Sequence, residues 1–268
     1  MVVKLSIRTT SSQLKPPMAP NTIDDILTEL DQIILRARNE QSRLGYFATL
    51  YRNVTLKVKQ GIANGFFEDG ARMEKLDVTF AGRYLAAIES YRAQQNTSRC
   101  WIAAFETANK WSPIILQQLL IGMNAHINFD LGIAAQAVAP GSELASLKTD
   151  FNRINDILAS MVLKVRSDVE EVSPWIKLLD KYASQTEDRL IEFSLSKART
   201  SAWLVANMIN STPADKLGRE LEILDEGVTK LAGLIASPRG WLLKLGLRVI
   251  RLRESNDVPH VIDVLSEV

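Results

Sequence analysis

The chain has little of what most catalytic and metal sites are built from: one cysteine, Cys100, and two histidines, His126 and His260, in 268 residues. A single cysteine excludes an intrachain disulfide framework and a cysteine-rich zinc or iron–sulfur site, which suits a reducing compartment, so a cytoplasmic location is expected. Any metal site would have to combine one histidine with carboxylates such as Asp77, Asp150 or Glu187, and no metal or other cofactor is expected. The trinuclear zinc centres of phospholipase C-like helical proteins need several more histidines than this chain owns. Net charge is nearly absent as well: 32 Lys+Arg against 31 Asp+Glu leave a formal +1, which gives no global pull toward nucleic acid. No Gly-rich phosphate loop, Ser-His-Asp order or Cys-His pairing stands out, and Cys100 beside Trp101 reads as inert core.

Long hydrophobic runs are also missing. The least charged stretch, SPIILQQLLIGMNAHINFDLGIAAQAVAPGS at 112–142, carries one formal charge, Asp130. Gln117, Gln118, Asn124, His126, Asn128 and Asp130 interrupt every window of about 20 residues that a membrane span requires. The stretch reads instead as a helix buried in protein. The first 22 residues are acid-free and Pro-rich at their end, with no apolar core for a secretory signal, so residues 1–21 are expected to form a mobile or loosely docked arm.

What is present is helical periodicity. Apolar residues make up 46% of the chain, enough for a sizeable core. They recur at three and four residue spacings, as in Ile23, Ile26, Leu27, Leu30, Ile33 and Ile34, and no run alternates as a strand does. The fold class is therefore all-α, a single multi-helix domain over 22–254 built around a buried central helix at about 113–138, with a short tail at 255–268. Thr22 with Asp24 and Asp25 caps a first helix to about Glu40. A second runs from Ser42 to about Asn64, where Gly65 offers a left-handed position. Further helices are expected over 68–94, over 97–110 with Asn96-Thr97-Ser98 as its cap, from Glu143 to Val172, over 176–211 and over 213–236.

Within the buried helix His126 and Asp130 lie one turn apart, about 40° on the helical wheel, whereas Asn128 points nearly opposite. An unpaired carboxylate on that apolar face is costly to desolvate. Either Asp130 holds His126, or an arginine from another helix, in a satisfied network that fixes packing, or the pair marks a ligand pocket with His126 as acid/base or ligand and Asp130 orienting it. Asp77, Phe80 and Tyr84 share one stripe of the third helix, and Arg199 and Trp203 repeat the arrangement. An Asp77–Arg199 or Asp130–Arg199 pair is the structural expectation, and Arg199 binding a substrate carboxylate or phosphate is the functional one. Asp77, Tyr84, Asn128, Arg199 and Trp203 are thus the candidate ligand-binding residues around His126 and Asp130.

The segments FFEDGARMEKLDVTFAGRYLAAI at 66–88, LLIGMNAHINFDL at 119–131, DFNRINDIL at 150–158 and RTSAW at 199–203 resemble an uncharacterised family of bacterial and fungal proteins, the domain of unknown function 5995. The resemblance covers roughly the middle half of the chain. It implies a helical fold and carries no established activity. Class I terpene cyclases fit poorly: Asp24-Asp25 lacks a third aspartate, and Asn155-Asp156 is followed by Ala159 and Leu163 where Ser or Thr and then Glu are required.

The functional expectation is an internal small-molecule pocket centred on His126 and Asp130, for an apolar or isoprenoid-like metabolite. The alternative is a non-catalytic binding or scaffold protein whose buried polar network only specifies packing. Trp101, Phe105 and Trp111 are spaced as core residues, so no nucleic-acid partner is expected. The basic helix at 239–253 reads first as an ordinary solvated face, with peripheral membrane contact as the lesser alternative.

Overall fold

A carboxylate contributed from far along the chain fixes the start of each of three helices in this protein. The computed structural model describes residues 20–177 and 195–267. Among them the structure is all-α with no strand: α1 Ile23–Asn39, α2 Leu44–Ala63, α3 Gly70–Arg92, α4 Arg99–Ala108, α5 Ile115–Asn124, a π-helical segment Ala125–Leu131, α6 Gly132–Val138, α7 Glu143–Val172, α8 Leu195–Ser211, α9 Ala214–Ala236, α10 Trp241–Arg251 and α11 Val258–Leu265. The described helices form one domain. The 1–21 arm, apart from its last two residues, lies outside the described residues. So does most of the first half of the helix expected over 176–211; residues 174–177 form a turn after the Ser173-Pro174 break.

Local signals set α1 and the turn after α2. The Thr22 hydroxyl accepts from the Asp25 amide at 3.1 Å while the Asp25 carboxylate accepts from the Thr22 amide at 3.0 Å, a reciprocal cap. Gly65 takes φ of +67° after α2, which a side chain would resist. The other starts are tertiary. Asp150 of α7 accepts from the Glu68 and Asp69 amides ahead of α3, at 2.8 and 2.9 Å. Asp225 of α9 accepts from the Arg99 and Cys100 amides, both at 2.8 Å. Glu254 accepts from the Ile115 amide at 3.1 Å and from the Ser173 hydroxyl at 2.7 Å. The expected cap of α4 from Asn96-Thr97-Ser98 is corrected accordingly, since Ser98 makes no side-chain cap and Asp225 satisfies the first amides.

The central helix also differs from its expected form. It begins at Ile115, and its middle is a π-helical turn of seven residues, all buried, that contains His126 and Asp130. A π segment widens the helix and needs neighbours that tolerate the bulge. Glycines on both sides supply that room. A Cβ on Gly122 would sit 2.6 Å from the Phe47 ring, and one on Gly132 would sit 2.6 Å from the Ala202 carbonyl oxygen. Because the Gly132 obstacle is backbone, Gly132→Ala is expected to destabilise the fold by about 1–3 kcal/mol, measured as an earlier urea midpoint. Gly82→Ala, where nothing lies within 4 Å, is the control and shifts the midpoint the other way.

The segment expected as a short tail is a second correction. Residues 258–265 form α11, whose Val258, Val261, Ile262 and Leu265 cluster with Tyr46 and Leu50 of α2 and Val169 of α7. Asp257 caps it, its carboxylate accepting from the His260 amide at 3.1 Å. Eight residues carry too few turns to stand out by periodicity, and Pro259 masks the helix although it sits in the first turn, where proline is tolerated.

Candidate functional site

α2, α3, α5, the π segment, α7 and α8 line a cavity of about 420 Å³. Most of its lining is aliphatic or aromatic, for example Val58, Leu76, Leu119, Met123, Ile154 and Met161. Among the described residues its polar lining consists of Tyr51, Asp77, His126, Arg166, Glu170, Lys177 and Arg199, with no serine, threonine or cysteine. The Tyr51 hydroxyl, Asp77 Oδ2, both ring nitrogens of His126 and Arg199 Nε are all buried without a hydrogen-bond partner. Buried polar atoms are rarely left in that state.

His126 sits in an aromatic cage. Its ring stacks on Phe80 at 3.6 Å between centroids, nearly parallel, and meets Tyr51 edge-on at 4.3 Å. Phe47 and Trp101 stand further out, at 5.7 and 6.0 Å. Burial pulls its pKa below the usual imidazole value; the Asp130 charge opposes that shift and Arg83 adds to it. The imidazole is therefore neutral at physiological pH.

Asp130 is engaged elsewhere. Its carboxylate accepts from Arg83 Nε at 2.7 Å and from the Trp101 indole N–H at 2.8 Å. His126 Nδ1 lies 3.7 Å from Asp130 Oδ2, within ion-pair range but too far for a hydrogen bond. The expected partner Arg199 is not there: the cation on Asp130 is Arg83, from α3. Asp130 does not line the cavity.

Arg199 donates from Nη2 to the Phe151 carbonyl and lies over the Phe151 ring at 4.4 Å. Neither Asp77 nor Asp130 is within ion-pair distance of it, so both expected pairings with Arg199 are corrected. Burial alone pulls its pKa down to about 9. Asp77 has no cationic partner among the described residues, and burial, with the Glu74 charge adding to it, pushes its pKa up to about 7. The physical reason for the missing pair is the cavity: both side chains line it rather than each other.

The seven candidate residues thus separate into two groups. Asp77, His126 and Arg199 line the cavity. Tyr84, Asn128, Asp130 and Trp203 do not. Tyr84 is core, edge-on to Phe47 at 5.2 Å. Asn128 donates to Asn124 Oδ1 at 3.0 Å, and Asn124 donates in turn to the Val228 carbonyl at 2.9 Å, so this pair ties the π segment to α9. Trp203 packs on Phe151 at 5.0 Å beneath Lys148.

Sequence reasoning missed Tyr51, Phe47 and Phe80 as cavity residues, and Arg83 as the partner of Asp130. The signal for the first was Phe47 and Tyr51 one turn apart on α2. Arg83 carried none, being one of many helix-surface arginines.

Metal ligation is poorly served. No group of three or more His, Cys, Asp or Glu side chains comes together among the described residues. Asp150, a candidate ligand, is occupied by two amides and by Arg153 at 3.0 Å. Glu187 lies outside the described residues.

A model of the family described as a family of unknown function (DUF5995) matches residues 23–238. No curated protein and no solved structure matches the chain.

Proposed function

Because the chain belongs to the family of unknown function DUF5995, its chemistry has to be read from the cavity, and we propose that it binds an elongated, largely apolar small molecule carrying one acidic head group. The observation that carries this reading is the set of unpartnered polar atoms on Tyr51, Asp77, His126 and Arg199 around an otherwise apolar volume. A packing network would satisfy its own members. A ligand with hydrogen-bonding groups supplies missing partners, and its apolar body gains from burial. Arg199 is the cation available to the head group, while a neutral His126 and a largely protonated Asp77 add no negative charge to the lining below about pH 7.

A second reading has support of its own. A neutral imidazole in a cavity that also holds a carboxyl group pushed up to about 7 is a combination that proton-transfer sites use. The lining offers no serine, threonine or cysteine nucleophile among the described residues, so the chemistry supported is acid–base rather than acyl transfer.

The test is titration with a fluorescent polyunsaturated fatty acid and with the matching alcohol. Arg199→Met is expected to weaken binding of the acid by roughly 10- to 100-fold, the worth of a charge-assisted hydrogen bond, while leaving the alcohol nearly unchanged and raising the melting temperature. Met123→Trp, which fills the cavity, is expected to abolish both. Failure of the probe to bind, or indifference to both substitutions, overturns the reading.

A further inference from the structure

From Gly227 to Arg253 the chain carries six cations and no acid. Helix α10, within this stretch, turns Leu243, Leu247 and Ile250 inward against Ile114, Ile121 of α5, and Ala232 and Ile235 of α9. The opposite face is not an ordinary solvated one. Trp241 is 72% exposed, Leu245 51% and Leu252 67%. Residues 241, 245, 248 and 252 fall on a single stripe at helical spacing, and Arg239, Lys244 and Arg248 are exposed on or beside it. Arg253 lies over the half-exposed Trp175 ring at 4.9 Å.

The charges and the exposed apolar stripe together point to the occupant. Elsewhere on the surface Arg36, Arg38, Arg52, Lys59 and Arg153 each meet a carboxylate, and other exposed cations, such as Lys75, Lys216 and Arg219, meet none among the described residues. Arg239, Lys244 and Arg248 meet none among the described residues. Cations left unpaired around an exposed tryptophan and leucines match a surface that supplies many anions over an apolar layer, which is an anionic bilayer. A second copy of this chain, at a formal +1 and presenting the same basic face, supplies no such complement. We propose that the outer face of α10 docks on anionic membrane surfaces, with Trp241, Leu245 and Leu252 entering the headgroup boundary and Arg239, Lys244 and Arg248 contacting lipid phosphates.

The inference stands without the cavity reading, but its geometry serves that reading. Leu116, Leu120 and Ile176 pack against the cluster under α10 and also line the cavity. Docking would therefore set one wall of the cavity beside the bilayer.

The experiment is flotation of the full chain with phosphatidylcholine vesicles containing a minority of phosphatidylglycerol, and with phosphatidylcholine alone. Binding is expected to the anionic vesicles and to weaken with salt. Lys244→Glu/Arg248→Glu should lower the partition coefficient about tenfold or more. Trp241→Ser/Leu252→Ser should abolish stable association, and since all four positions are exposed, both variants should melt like the wild type. Equal flotation of wild type and variants, or no flotation with anionic vesicles, overturns the proposal. So does a dimer in sedimentation velocity that Trp241→Ser/Leu252→Ser converts to a monomer, with no vesicle binding by either.

Discussion

Asp130→Ala is expected to lower stability by about 3–4 kcal/mol, roughly 10 °C in melting temperature for a domain of this size, while leaving ligand affinity in the cavity unchanged. Asp130 is 1% exposed and its two oxygens serve Arg83 and the Trp101 indole N–H. Trp101 is itself 1% exposed, so removal of the carboxylate leaves its N–H buried without an acceptor. Arg83 fares better, because about a third of its side chain reaches solvent and it can turn outward. Arg83→Met is the harsher of the two ways to break the pair, since it leaves a buried carboxylate held by the indole alone. Asp130→Asn falls between wild type and Asp130→Ala: the amide oxygen accepts from one donor and its NH₂ group faces the other. Thermal melts of the three variants, paired with fatty-acid titration, check this. A variant that keeps its melting temperature and loses the ligand would return Asp130 to a role in the site.

The same residues show how far the sequence could be read. Periodicity and the Pro, Gly and Asn breaks made the helices legible, because each element must bury one apolar stripe and each break is a local backbone preference. The candidate site was legible in part for a related reason: His126, Asp77 and Arg199 are polar residues at positions where the pattern calls for apolar ones. What the pattern could not say is which of these residues meet. Asp130 meets Arg83, 47 positions away, and Arg199 meets a carbonyl rather than Asp77 or Asp130. Those pairings depend on how helices are placed in space, and nothing in the spacing of charges along one helix encodes that. The caps from Asp150, Asp225 and Glu254 escaped for the same reason. The π segment escaped because a single extra residue per turn leaves the apolar count of 115–138 almost unchanged.

The Asp77 and His126 contributions to the stability of the wild-type protein are expected to slope in opposite directions with pH below 6.5, and two single substitutions should tilt the profile in opposite directions. Asp77 has its pKa pushed up from 3.8 to about 7 by burial and by Glu74. Across that interval the folded state holds a proton that the unfolded state has released, so stability falls as pH rises, by on the order of 4 kcal/mol in full. His126 has its pKa pulled below 6.5. Below 6.5 the unfolded state binds a proton that the folded state refuses, so stability falls as pH drops. The two slopes oppose each other over the shared window. Asp77→Asn removes the first: the variant should match wild type near pH 4, exceed it by roughly 4 kcal/mol at pH 8, and lose stability on acidification because His126 now acts unopposed. His126→Gln removes the second: the variant should match wild type at pH 8 and gain on it progressively below 6.5. Urea melts of the three proteins across pH 4 to 8 measure both differences. Parallel profiles for wild type and Asp77→Asn would mean that Asp77 is ionised in the folded protein with a cation beside it, and the acidic-ligand reading of the cavity would lose the neutral carboxyl group on which it relies.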